Sequence, residues 1–122
     1  MAQKIMVVDD ELGALTLIGI MLERGGFEAI KANDAAMALQ MLDSQTPDLF
    51  ILDIMMPGID GIELCRRIRA NMTTQNTPVL ILSARGDNEA REQGIEAGAN
   101  SYLSKPILHH DLITKVKELI GD

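Results

Sequence analysis

The chain has 122 residues, 47% apolar and 24% charged, which bounds it to one domain large enough to bury a core. Its formal net charge of −7 opposes direct binding to nucleic acid or insertion into a membrane, and no apolar run is long enough to cross a bilayer. A single cysteine, Cys65, excludes an internal disulfide, and Asp9-Asp10 cut the first apolar run short, which excludes a signal peptide and predicts a cytoplasmic protein.

Short apolar runs alternate with longer segments of helical period, the pattern of a βα-repeated domain with a parallel sheet. The first strand is predicted over 4–8 and ends on Asp9 and Asp10. A helix follows over 12–24, with Leu12, Leu15, Ile18 and Leu22 as its apolar stripe. The second strand, 27–32, mixes apolar and polar residues. The helix over 35–44 carries Met37 and Met41 one turn apart, read as packing residues. The third strand, 48–52, is continuously apolar and ends on Asp53. The helix over 61–71 opens on Asp60 and Glu63, a capping box with Asp in the place of Ser or Thr. Cys65, flanked by Leu64 and Ile68, should face the core there as an inert thiol.

The fourth strand, 79–82, is again continuously apolar and ends on Ser83. The helix over 88–97 contains Gly94 and one large aliphatic, Ile95, and should be loosely held. The fifth strand, 101–104, leads into Lys105-Pro106. The last helix, 109–120, has the clearest stripe: Leu112, Ile113, Val116, Leu119 and Ile120. Adjacent helical residues point in different directions, so His109 and His110 should both face solvent rather than chelate a metal.

Continuous apolar strands suit the centre of a sheet covered by helices on both faces, and mixed strands suit its edges. That assigns the α/β, doubly wound order 2-1-3-4-5, with right-handed crossovers and a switch point between the first and third strands. Asp9, Asp10 and Asp53 converge at that point, with Ser83 and Lys105 on the same rim. Three clustered carboxylates repel one another unless protonated or bridged by a cation, and few carboxylates with room for water suit Mg²⁺, with Mn²⁺ able to substitute. Asp53 could then accept a phosphoryl group as an acyl phosphate, with Lys105 supplying positive charge and Ser83 a hydroxyl donor.

Along its whole length the chain resembles bacterial response-regulator receiver domains of the single-domain, chemotaxis-regulator type. The resemblance rests on Val7-Val8-Asp9-Asp10-Glu11, Leu52-Asp53-Ile54-Met55-Met56-Pro57-Gly58, Asp60-Gly61, Leu82-Ser83-Ala84, Gly98-Ala99 and Tyr102-Leu103-Ser104-Lys105-Pro106. It implies that Asp53 takes a phosphoryl group from a phosphohistidine on a sensor histidine kinase or phosphotransfer protein, in a reaction the domain itself catalyses, and that small acyl or amido phosphates can replace that donor. It also implies that Asp9, Asp10, Asp53 and the Met55 carbonyl hold Mg²⁺ and that Lys105 pairs with the phosphoryl group. Ser83 and Tyr102 form the switch pair, and Pro106 follows a cis bond. The surface of the fourth helix, fifth strand and fifth helix passes the signal to an output protein or domain. Met55 and Arg85 stand where the family tunes hydrolysis of the aspartyl phosphate, and they favour slow loss. Asn100, Ser101 and Lys115 depart from the pattern of the DNA-binding branch that dimerises through that surface.

Three other readings compete. A flavin-binding module of the same topology needs a phosphate-cradling loop where this chain has Asp9-Asp10-Glu11. An aspartyl phosphohydrolase commonly places a second Asp where Met55 stands. A degenerate receiver acting only as a scaffold would lack some of the residues above. Taken singly, Asp10 reads as a helix cap, Ser83 as a turn residue and Lys105 as a solvated charge. The chain ends just after the last helix, which fits either a stand-alone regulator or part of a longer protein.

Overall fold

A computed structural model describes residues 2–84 and 88–121. Five strands, β1 (Lys4–Val8), β2 (Glu28–Ala32), β3 (Leu49–Leu52), β4 (Val79–Ser83) and β5 (Ser101–Ser104), alternate with five helices. These are α1 (Leu12–Arg24), α2 (Ala35–Met41), α3 (Gly61–Ala70), α4 (Asn88–Glu96) and α5 (His109–Ile120). The sheet is parallel with order β2-β1-β3-β4-β5, as the strand compositions predict.

Side chains alternate between the faces of a strand, so each central strand feeds two cores. Met6, Val8, Phe50, Leu52, Val79 and Ile81 pack with α2, α3 and α4 on one face. Ile5, Val7, Leu49, Ile51, Leu80 and Leu82 pack with α1 and α5 on the other. Each fully buried aliphatic or Phe side chain contributes about 1.5–3 kcal/mol of transfer free energy, so the middle of the sheet is its anchor.

Three expectations change on inspection. Leu12 does not join the stripe of α1: it is 65% exposed, while Leu15, Ile18, Gly19 and Leu22 are buried. The first turn of α1 begins at the rim, where the strands have already ended. Phe27 stands before β2 rather than in it, its N–H donating to the Leu22 carbonyl at 3.0 Å after the Gly25-Gly26 turn. The second helix stops at Met41 rather than Ser44, because Asp43 and Ser44 donate to the carbonyls of Gln40 and Met41, three residues back, and tighten the chain into a turn.

α4 is held as loosely as its sequence predicts. It buries only Ala90 and Gly94, and Ile95 points outward. Gly94 lets the helix lie close to the sheet, since a Cβ there would come within 2.8 Å of Ile81 Cδ1. A knot of hydrogen bonds from Arg69 pins the end of the sheet opposite the rim. Its Nε donates to Gly98 O at 3.0 Å, Nη1 to Thr77 O at 2.7 Å and to Thr74 O at 3.3 Å, and Nη2 to Asn100 Oδ1 at 2.8 Å.

Candidate functional site

Strand register assembles the rim. Val8 pairs with Leu52 and Leu52 with Ile81, so Asp9 and Asp53 emerge side by side, while β4 runs on past the expected end at Leu82 to finish with Ser83 beside them. The Asp53 N–H donates to the Val8 carbonyl at 3.0 Å, and the Lys105 N–H donates to the Ser83 carbonyl at 2.8 Å. Asp53 is further fixed from α3. A Cβ on Gly61 would collide with the Asp53 carbonyl, so only glycine permits this approach, and the Gly61 N–H donates to Ile54 O at 3.0 Å. The Asp60-Gly61 pair was legible as a helix start; its contact with the Asp53 backbone was not.

Carboxylate oxygens of Asp9, Asp10 and Asp53 lie within 4.8 Å of one another. Asp9 is 1% exposed and Asp53 8%, while Asp10 faces solvent. Asp10 does not cap α1: the N-cap position is Glu11, whose N–H donates to Asp9 Oδ1 at 3.0 Å. Lys105 reaches across the rim, with Nζ 2.7 Å from Asp9 Oδ2 and 3.7 Å from Asp53 Oδ2. The Lys105–Pro106 peptide bond is cis.

Burial raises the Asp53 pKa above its ordinary 3.8, and the Asp9 charge adds to the rise. Lys105, the Met55 N–H and the Ser83 hydroxyl, both hydrogen-bonded to the carboxylate, act against it. Burial would lower the Lys105 pKa, but its hydrogen bond to Asp9 and the charges of Asp53, Asp9 and Glu11 outweigh that, and the net shift is upward. The ammonium therefore stays charged among the carboxylates. All-oxygen donors, two of them buried and one open to water, fit a hard divalent cation that keeps several waters.

The remaining sequence candidates fall as follows. Ser83 is fully buried beside Asp53. Met55 is exposed between buried Ile54 and Met56, with its backbone against the Asp53 carboxylate. Tyr102 lies half-buried against the core that contains α3 and α4. Arg85 lies outside the described residues. His109 and His110 are both exposed. Cys65 is fully buried, its thiol donating to Ala97 O at 3.5 Å, and burial pushes its pKa up. Asn100 accepts from Arg69 and from the Val79 N–H, and Lys115 pairs with Glu118 at 3.2 Å.

Sequence reasoning missed a groove beside the rim. Part of its wall is helical: Ala14, Leu17, Ile18 and Met21 of α1 face Pro106 and Ile107. The available signal was that Leu17 is large and apolar yet off the buried stripe.

Residues 5–117 match the response regulator receiver domain family. The chain belongs to this family. It is 36% identical over 120 residues to the phosphate regulon transcriptional regulatory protein PhoB of Escherichia coli, covering 98% of this chain and 52% of PhoB. The receiver domain thus spans about half the length of the curated relatives it matches. A response regulator crystal structure from Chloroflexus aurantiacus superposes with a TM-score of 0.96 at 36% identity, covering 100% of both chains. The receiver domain of the Pseudomonas aeruginosa sensor histidine kinase PA1611, solved with magnesium coordinated in its active-site cleft, gives a TM-score of 0.92 at 30% identity, again covering 100% of both chains. The protein is a phosphorylatable receiver domain of a two-component system, with the acidic cluster of a divalent-cation site. Among the described residues, no helix is long and apolar enough to cross a membrane.

Proposed function

We propose that residues 1–122 form one receiver domain in which Asp53 is the phosphoacceptor. One Asp53 oxygen forms a bond to the phosphorus of a phosphohistidine on a sensor histidine kinase or phosphotransfer protein as the P–N bond breaks, and the electron pair leaves with the imidazole nitrogen, freeing the histidine. Asp9, Asp10, Asp53 and the Met55 carbonyl hold Mg²⁺, or Mn²⁺ in its place, which supplies positive charge to the transferring group. Lys105 leaves Asp9 for the phosphoryl oxygens, and Ser83 donates its hydroxyl to another of them. Tyr102 then follows Ser83, and the α4-β5-α5 surface presents the changed state to an output protein or domain. Loss of the phosphoryl group by hydrolysis is slow, and the protein works in the cytoplasm.

The observation that carries this reading is the Lys105 ammonium placed between two buried carboxylates at the switch point, in reach of both. The outer face of α1 supports a protein donor: Leu12, 65% exposed, offers apolar area at the rim, and Ile20, 46% exposed, offers more about two turns along the helix. Intact mass after incubation with acetyl phosphate tests the acceptor. A Mg²⁺-dependent gain of one phosphoryl group, absent in Asp53→Asn, is the expected result. An equal gain in the variant would move the acceptor elsewhere, and no gain from either acetyl phosphate or a phosphohistidine protein would leave a binding scaffold.

A further inference from the structure

The groove beside the rim has a volume of about 450 Å³, the size of a small-molecule site, and lies between α1 and the Lys105–Ile107 connection. Its walls are apolar, formed by Ala14, Leu17, Ile18, Met21, Leu82 and Ile107. Two charged side chains line it: Glu11 and Lys105. Lys105 is shared: it lines the groove, and its ammonium lies 2.7 Å from Asp9 Oδ2 and 3.7 Å from Asp53 Oδ2. Lys105 thus joins the rim to the groove, and a ligand whose anionic head meets the Lys105 ammonium at the rim has this apolar trough on the other side of that residue.

The geometry points to a donor subsite for acyl phosphates whose acyl group is larger than acetyl and uncharged. This rests on Asp53 being the phosphoacceptor. The phosphoryl group lies at the rim and the acyl chain in the trough, while Glu11 repels acyl groups that end in a second carboxylate. In the transfer, an Asp53 oxygen forms the new bond to phosphorus as the bond from phosphorus to the acyl oxygen breaks. The electron pair leaves with that oxygen, releasing the free carboxylate, and no proton is moved. Acetyl has one methyl to place in the trough; butyryl adds two methylenes, and their burial favours it by roughly tenfold. Donors of this class come from reactions that exchange a thioester for phosphate on short-chain or branched acids.

The test compares initial rates of Asp53 labelling, by intact mass in Mg²⁺ buffer, with acetyl and butyryl phosphate at equal subsaturating concentration. The expected result is a butyryl-to-acetyl ratio of about ten in the wild type. The ratio should fall towards one in Ala14→Leu, which fills the trough, and also in Leu17→Ala, which removes part of its wall. A wild-type ratio near one overturns the subsite even if neither variant folds, as does a ratio that folded Ala14→Leu leaves unchanged. Labelling by acetyl phosphate without preference removes the subsite alone. Labelling by neither donor removes it together with the small-donor chemistry of Asp53.

Discussion

At Asp53, burial and the adjacent Asp9 charge outweigh Lys105, the Met55 N–H and the Ser83 hydroxyl, and the carboxyl holds its proton to higher pH than an ordinary aspartate. A pKa raised on folding means that the folded state binds the proton more readily than the unfolded chain. The stability this group contributes is then fully present below the ordinary value of 3.8 and is lost as pH rises through the raised one. Ionised Asp53 works against the fold at neutral pH, where the proposed acceptor role needs it ionised. Asp53→Asn should consequently melt a few degrees above the wild type at pH 7 in EDTA, with the gap closing as the pH is lowered towards about 4. A variant that melts no higher at pH 7 would mean that Lys105 already offsets the burial. Lys105 has the complementary behaviour: its pKa is raised, so its contribution holds throughout the neutral range and fades only as alkaline pH passes its folded value.

Elements were legible wherever an apolar run met a polar residue, which is why β1 and β5 and the helices α1 and α5 fall where periodicity places them. The placement of the proposed site residues on one rim was legible for the same reason: Asp9-Asp10, Asp53 and Lys105 follow strands and Ser83 ends one, and strand order follows from which runs are continuous. What escaped depends on contacts between distant segments. Gly61 against the Asp53 carbonyl, the groove shared by α1 and Ile107, and the Arg69 knot leave no local pattern. Arg69 ties the end of α3 to carbonyls at Thr74, Thr77 and Gly98 and to the Asn100 side chain, so it holds the connection from α4 to β5 from beneath. Those acceptors are partly open to water, which replaces some of the lost bonds, so Arg69→Met should cost about 2–3 kcal/mol in urea unfolding. Amide exchange should accelerate first over the α4–β5 connection. Uniform acceleration across the sheet would instead make Arg69 a general support.

For the molecule as a whole, the proposed function requires a protein donor and a small donor to reach one nucleophile by neighbouring routes. The protein donor has the outer face of α1 to press on, and the small one needs only the rim and its trough. Ile20→Glu should therefore slow transfer from a phosphohistidine protein about tenfold or more, because it buries a charge in the encounter, while labelling by acetyl phosphate is retained. Equal loss with both donors would place the defect in the fold of α1. The bond from Lys105 to Asp9 joins residues 96 apart and so closes the longest loop at the site. A copy still emerging from the ribosome presents Asp9, Asp10, Asp53 and Ser83 before the fifth strand has been made, with no ammonium to gather them. Competence to receive a signal thus waits for the fifth strand during synthesis, and copies that stop short of Lys105 cannot draw phosphate from the pathway.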